Sequence, residues 1–208
     1  MKSKYLLDAN DAFKKMVFGW LFPNLRCLHV IPMITDHPNA WTPADWNSYA
    51  QLFGIPTSSV LAQQSQFTNN RLSPIHGYFS ALLKANSSIG CAGADFFVDP
   101  DTGLTDKGGG ATHINAAEVA QLLGNSDRVV IIYQHSNRDT ANIRTNLKNH
   151  HSNIQNAVQP NNQPLHYFGI NGTSICLFFF SLDQPRLQTL ETICRQKFGP
   201  NGIAARII

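Results

Sequence analysis

The chain has 208 residues, enough to bury an apolar core without disulfide or metal staples. A formal charge of +3 is too small to argue nucleic-acid binding by itself, and eight histidines make that charge sensitive to pH. No run approaches the roughly 18 apolar residues of a membrane span, and Met1-Lys2-Ser3-Lys4-Tyr5 carries no apolar signal region, so a cytoplasmic protein with no membrane partner is expected. Cys27, Cys91, Cys176 and Cys194 form no C-x-x-C pair and no metal spacing, and are expected to be reduced and structural.

In chain order, Ala9, Ala12, Phe13, Met16, Val17 and Trp20 recur at helical spacing, with Asp8 as N-cap and Asp11 as its capping-box partner. Leu25 to Ile34 reads as a continuous buried strand that Pro32 ends. Thr42-Pro43-Ala44-Asp45 opens a helix that Gly54 closes, and a further helix follows Ser73-Pro74. Phe96 to Val98 is an apolar strand running into the turn Asp99-Pro100-Asp101-Thr102-Gly103. Residues 104–112, with Lys107 and glycines at 108–110, read as a polar, loose segment; they are no phosphate-binding P-loop, because no Gly-Lys-Ser/Thr follows. Asn115-Ala116-Ala117-Glu118 is a capping box for a helix ending at Gly124.

Arg128 to Tyr133 is a second apolar strand, followed by Gln134, His135 and Arg138. Residues 138–158 suggest an exposed helix with His150 and His151 on a solvated face, and 149–163 a second polar, loose stretch. Asn171-Gly172 marks a hairpin, Asp183 caps a last helix, and Ile203 to Ile208 closes as a strand. Alternation of this kind predicts one α/β domain spanning residues 1–208: a three-layer, Rossmann-like sandwich with a mostly parallel sheet and an antiparallel C-terminal hairpin.

Two strands that each end in chemically capable residues suggest one shared site, since ligands of open α/β sheets sit at strand C-termini. Asp99, Asp101 and His135 are the candidate catalytic residues, with Lys107, Tyr133, Gln134 and Arg138 as candidate substrate contacts. Asp99 is placed to accept a hydrogen bond from an amino or hydroxyl group, His135 to take a proton, and Lys107 or Arg138 to meet phosphate. The competing reading of Asp99 to Gly103 is plain turn chemistry, the aspartates bonding their own backbone.

Several motifs together, namely Tyr5-x-x-Asp8-x-x-Asp11-x-x-Lys14, the strand before Thr35-Asp36, the run Phe97 to Leu104 and the run Ile131 to Arg138, carry a resemblance. They resemble a largely uncharacterised family of small bacterial and phage proteins whose helix carries Gly-Asp-Phe-Gly-Lys and whose central motifs read Leu-Asp-Pro-Asp-Asn-Gly and Tyr-Gln-His. The layout is more distantly similar to class I S-adenosylmethionine methyltransferases that act on adenine N6 in ribosomal RNA. That resemblance implies that Asp8, Asp11 and Lys14 line the same cleft, that Thr35 and Asp36 lie where the cofactor S-adenosylmethionine binds, and that Asp99-Pro100 matches the catalytic Asp-Pro. Asp101 stands where those enzymes have Pro, Thr102 replaces the aromatic that stacks on a flipped base, and no glycines follow the first strand.

The leading expectation is therefore an enzyme acting on a nucleotide or nucleic acid on a methyltransferase-like scaffold. One alternative is a nuclease or phosphodiesterase with Mg²⁺ on Asp99 and Asp101 and Lys107 beside the phosphate. Against it, Thr105 rather than an acid precedes Lys107 by two residues. The other alternative is an inactive Rossmann-like module that binds a nucleotide or a protein.

Overall fold

The computed structural model describes residues 6–35, 40–61, 78–85, 93–105, 112–135, 140–158, 163–172, 174–199 and 206–207; Asp36, Cys91, Lys107, Arg138 and the glycines at 108–110 lie outside them. In chain order the described helices are α1 (Ala9–Leu21), α2 (Pro43–Phe53), α3 (Tyr78–Ala85), α4 (Ala116–Leu123), α5 (Thr140–Val158) and α6 (Gln184–Phe198). The strands are β1 (His29–Ile31), β2 (Phe96–Val98), β3 (Gly103–Thr105), β4 (His113–Asn115), β5 (Val129–His135), β6 (His166–Asn171), β7 (Ile175–Ser181) and β8 (Arg206–Ile207).

The apolar runs at β1, β2 and β5 lie side by side in parallel, with Ile31 opposite Val98 and Val98 opposite Ile132. β7 is antiparallel to β5, β6 to β7, and β8 to β6. The six-stranded sheet thus reads β1-β2-β5-β7-β6-β8, mixed, with β1, β2, β5 and β6 pointing the same way. Side chains alternate across it. Val30, Phe97, Ile131, Tyr133, Leu177 and Phe179 meet one layer, which includes Phe18 of α1, Phe53 of α2 and Leu190 of α6. Ile31, Val98, Val130, Ile132 and Phe178 meet the other, which includes Leu82 of α3, Leu122 of α4 and Leu147 of α5. None of the described helices is long and apolar enough to cross a membrane.

The capping signals hold where they were strongest. Thr42 and Asp45 form a full capping box with Pro43 at the first turn, and Gly54 ends α2 in the left-handed conformation. Asn115 and Glu118 do the same for α4, and Asp183 caps α6. Other expectations are corrected. β1 is only three residues long, and Cys27 is exposed at φ 41°, outside any strand. Among the described residues Cys27, Cys176 and Cys194 are free thiols. His150 is buried against Phe178 rather than solvated, and His151 bonds the Leu165 carbonyl while lying over Tyr167. The stretch 149–158 is helical. β5 runs two residues beyond Tyr133, and the segment expected to be loose, 104–112, begins in β3 and stops just before β4; the two strands pair in parallel.

The opposite rim, where β2 and β5 begin, is locked by a residue that the sequence pattern does not flag. Asp95 is fully buried and accepts from the backbone N–H of Arg26 and of Val129, both at 2.7 Å. Arg186 of α6 closes the same carboxylate with two bonds, at 3.1 and 2.8 Å. One side chain therefore ties the approach to β1, the start of β5 and the first turn of α6. Replacing it orphans a guanidinium and two backbone donors together. Asp95→Ala is expected to cost about 3–5 kcal/mol, read as a lower urea midpoint with an unchanged slope.

Candidate functional site

Parity and register bring the site together. Asp99 follows Val98 and so shares the face of Phe97; Tyr133 and His135 share the face of Ile131. Since Val98 is level with Ile132, Asp99 is level with Tyr133. The parallel ladder continues one step past β2, the Asp99 N–H donating to the Ile31 carbonyl at 2.9 Å. Both side chains point at α1, and α1 answers with charge. Its buried stripe is Asp11, Lys14, Val17, Phe18 and Leu21, not the apolar set expected: Ala12 and Met16 are exposed, and Phe13 is only half-buried.

Lys14 is the centre. Its Nζ donates to Asp99 Oδ2 at 2.8 Å and to Asp11 Oδ1 at 3.1 Å, and it lies 4.6 Å from the centre of the Tyr133 ring. Tyr49 of α2 donates its hydroxyl to the same Asp99 Oδ2 at 2.7 Å. Asp11 Oδ2 accepts the Leu7 N–H at 2.7 Å, so the expected capping box with Asp8 does not form. Asp8 caps α1 alone, through the N–H groups of Asn10 and Asp11. All four of Asp11, Lys14, Tyr49 and Asp99 are buried.

Burial sets the protonation states. It raises Asp11 above the ordinary carboxylate value, with Lys14 opposing and Asp99 adding to the rise. For Lys14 burial acts to lower the pKa, but Asp99 and Asp11 outweigh it, so the ammonium is held more firmly than in water. The phenols of Tyr49 and Tyr133 are pushed up, first by burial and then by Asp99, and stay neutral donors.

The turn is not self-contained. Asp101 Oδ2 accepts from the Thr35 hydroxyl at 2.7 Å, and its backbone carbonyl accepts from His135 Nε2 at 2.8 Å. A carbonyl only accepts, so His135 Nε2 is the donor in this bond, and in the neutral ring Nδ1 accepts from the Tyr133 hydroxyl at 3.5 Å. Thr102 bonds the Thr112 carbonyl through both its N–H and its hydroxyl, and the His135 N–H donates to the Thr102 carbonyl. Gln134, on the other face of β5, accepts the Leu104 N–H at 2.7 Å. Gly103 sits beneath that amide at φ 118°, where a Cβ would overlap Gln134 Oε1.

These groups surround an open cavity of about 470 Å³, lined by Asp8, Asp11, Lys14, Asp99, Asp101, Tyr133 and His135 together with Asn10, Pro100, Thr102 and Thr112. Most of the residues singled out in the sequence meet here. Gln134 and Thr35 do not line the cavity; they hold the turn that does. Asp36, Lys107 and Arg138 lie outside the described residues. Tyr49 is not among the residues singled out in the sequence; the signal available was that a buried tyrosine hydroxyl needs a partner. Among the described residues no group of three or more His, Cys, Asp or Glu is placed to hold a metal ion. A divalent ion on Asp99 Oδ2 would also have to displace the Lys14 ammonium.

Lys14→Met leaves two buried carboxylates uncompensated and is expected to cost about 3–5 kcal/mol at neutral pH; adding Asp99→Asn recovers part of that loss in chemical denaturation. Since the folded pKa of Lys14 lies above the ordinary 10.5, its contribution is complete below that pH and fades as pH rises through the folded value. The corresponding alkaline loss of stability is absent in Lys14→Met. Gly103→Ala, forced into a glycine-only conformation against Gln134, is expected to lower stability by about 1–3 kcal/mol, measured by thermal unfolding.

Compared with family models, with curated proteins and with solved structures, the chain finds no match in any of the three.

Proposed function

We propose that this protein is an enzyme acting on a nucleotide or nucleic-acid substrate, built on a Rossmann-like, three-layer scaffold similar to that of class I methyltransferases. The observation that carries the reading is the cavity's position. From β1 the chain passes to the outer side of the sheet, where Val60 bridges Val30 in parallel and the Leu61 N–H donates to the Val30 carbonyl at 2.8 Å. It then returns across β1 to form β2 on the inner side. With the Val60 bridge counted as a strand position the order reverses at β1, and such a reversal leaves a crevice at the strand C-termini where doubly wound sheets bind nucleotides; the cavity lies beside it, at the ends of β2 and β5. The Thr35–Asp101 hydrogen bond spans that crevice. The three motifs on which the resemblance to the bacterial and phage family was read, around Asp8 to Lys14, Asp99 to Gly103 and Tyr133 to His135, meet at one cavity.

Each residue then has a role that its surroundings allow. Asp99, held by Lys14 and Tyr49 through Oδ2, keeps Oδ1 to orient an amino or hydroxyl group of the substrate. His135 takes a proton at Nδ1, fixed in that tautomer by the Asp101 carbonyl. Tyr133, neutral, donates a hydrogen bond or offers its ring edge to the substrate. Asp101 and Thr102 form the wall facing α1.

S-adenosylmethionine is the cofactor this scaffold implies, supplying a transferable methyl group when bound. The described residues after β1 do not fit its usual cradle. Met33 and Ile34 are fully buried, Met33 takes φ 37° without being glycine, and the Thr35 hydroxyl is committed to Asp101. No open backbone is left there for close approach, and no step is assigned to the cofactor. The nuclease alternative is less favoured because Lys14 occupies Asp99.

Calorimetry and thermal shift with adenosine, AMP and S-adenosylmethionine test the reading. Binding of at least one, with a raised melting temperature, is expected. Absence of heat and of any shift with all three would sink it. Mg²⁺-dependent cleavage of DNA or RNA that disappears in Asp99→Asn would put the nuclease in its place.

A further inference from the structure

The outer edge of β1 is covered by residues 57–61. The 3-10 turn Thr57–Ser59 leads into Val60, which bridges Val30 in parallel, and the Leu61 N–H donates to the Val30 carbonyl. Val60 and Leu61 are both buried. One ionisable side chain joins the strand to this segment. His29, the first residue of β1, is 6% exposed and tilts against Phe96 of β2, ring centres 6.0 Å apart. The backbone of Ser59 hydrogen-bonds the ring in the sense that favours its protonated form, so Ser59 is the acceptor. Nδ1 is buried and has no hydrogen-bond partner among the described residues, so the donor is the Nε2–H.

The neutral ring suits this setting. Nε2 reaches Ser59, and Nδ1 is an uncharged lone pair in an apolar pocket. A proton on Nδ1 would create a buried charged donor with nothing to accept it. The charge that acts on the ring is itself a cation. Arg128, leading into β5, lies 5.1 Å from the centre of the same Phe96 ring and is fixed by Ser126 Oγ and the Leu122 carbonyl. Asp95 precedes Phe96 and faces the other way, where it holds Arg186 and the N–H groups of Arg26 and Val129. Residues 57–61 carry no ionisable side chain. Burial holds the His29 pKa below the ordinary 6.5, with Arg128 adding to the fall and the Ser59 bond opposing it.

We propose that His29 is a proton-sensitive pin: the neutral ring holds residues 57–61 on the edge of β1, and the protonated ring lets them go. On release the ring returns to water with its ordinary affinity for a proton. Above pH 6.5 both states are neutral, and the pinned state keeps its full advantage. Below 6.5 the released state takes up a proton that the pinned state refuses, so the advantage falls until the lowered folded pKa is passed. The backbone edge of β1 then stands open to another strand. The pin acts whatever the cavity binds.

Amide exchange followed by NMR on the intact chain, from about pH 8 to about pH 5, tests the pin. Protection factors remove the intrinsic pH dependence of exchange. The Leu61 amide is expected to lose protection below pH 6.5, by at most about tenfold per pH unit, the limit for one proton. Amides of β5 and β7 should keep theirs. The His29 ring, read from its carbon-bound protons in the same samples, should titrate over the range in which Leu61 loosens. His29→Gln keeps a donor for Ser59 and does not titrate; His29→Phe keeps the packing on Phe96 and does not titrate either. In both, Leu61 protection should be flat with pH. Should neither variant fold, the coincidence of ring titration and Leu61 loss in the wild-type chain decides. Leu61 protection that is flat in the wild type, that falls in step with β5 and β7, or that falls equally in either variant overturns the proposal. So does a ring that titrates with no change at Leu61.

Discussion

A single ammonium, Lys14 Nζ, decides how the first helix meets the sheet. Two carboxylates that would repel one another, Asp11 on α1 and Asp99 at the end of β2, are held together by it at 3.1 and 2.8 Å. Remove the charge and the helix would bring a bare acid against another bare acid in a medium of low polarity. With it, a polar floor exists inside an otherwise apolar interface, where Phe97 and Phe18 pack 4.8 Å apart just below. Such a floor is expensive in desolvation and adds little to net stability beyond what an apolar replacement would give. The same floor borders the cavity.

How far the sequence leads depends on the kind of constraint. Strand alternation and capping are local, so the parallel apolar runs, the boxes at Thr42 and Asn115 and the Asp183 cap could be read directly. The meeting of Asp99, Tyr133 and His135 was legible too, because two parallel strands in register carry same-parity residues to one rim. The orientation of α1 was not. Apolar periodicity places Phe13 and Met16 inward; burial of an ion pair with a residue 85 positions away rotates the helix instead. The same limit hides Asp95, whose partner Arg186 is 91 positions on. His150 was misjudged because a polar helix was taken to be exposed, whereas α5 turns its few apolar residues and this imidazole together onto the sheet.

Rim and rim differ in purpose. Where the parallel strands begin, Asp95 is saturated by two backbone donors and a bidentate guanidinium, an arrangement that leaves nothing for a ligand. Where they end, the carboxylates are tethered by side chains from three other elements, α1, α2 and the segment leaving β1, and face open space. Tethering by neighbours rather than by their own turn is what keeps these acids at the cavity.

The pairing of α1 with β2 also orders events during synthesis. The helix leaves the ribosome long before the strand that supplies its second counter-charge, and until then Lys14 has only Asp11 to answer it. Stable docking must wait for the middle of the chain, and the clasp between Asp95 and Arg186 for its last helix, so distant contacts dominate and assembly is slowed by loop closure. Helix α1 is therefore made well before the strand that holds it, and is seated late.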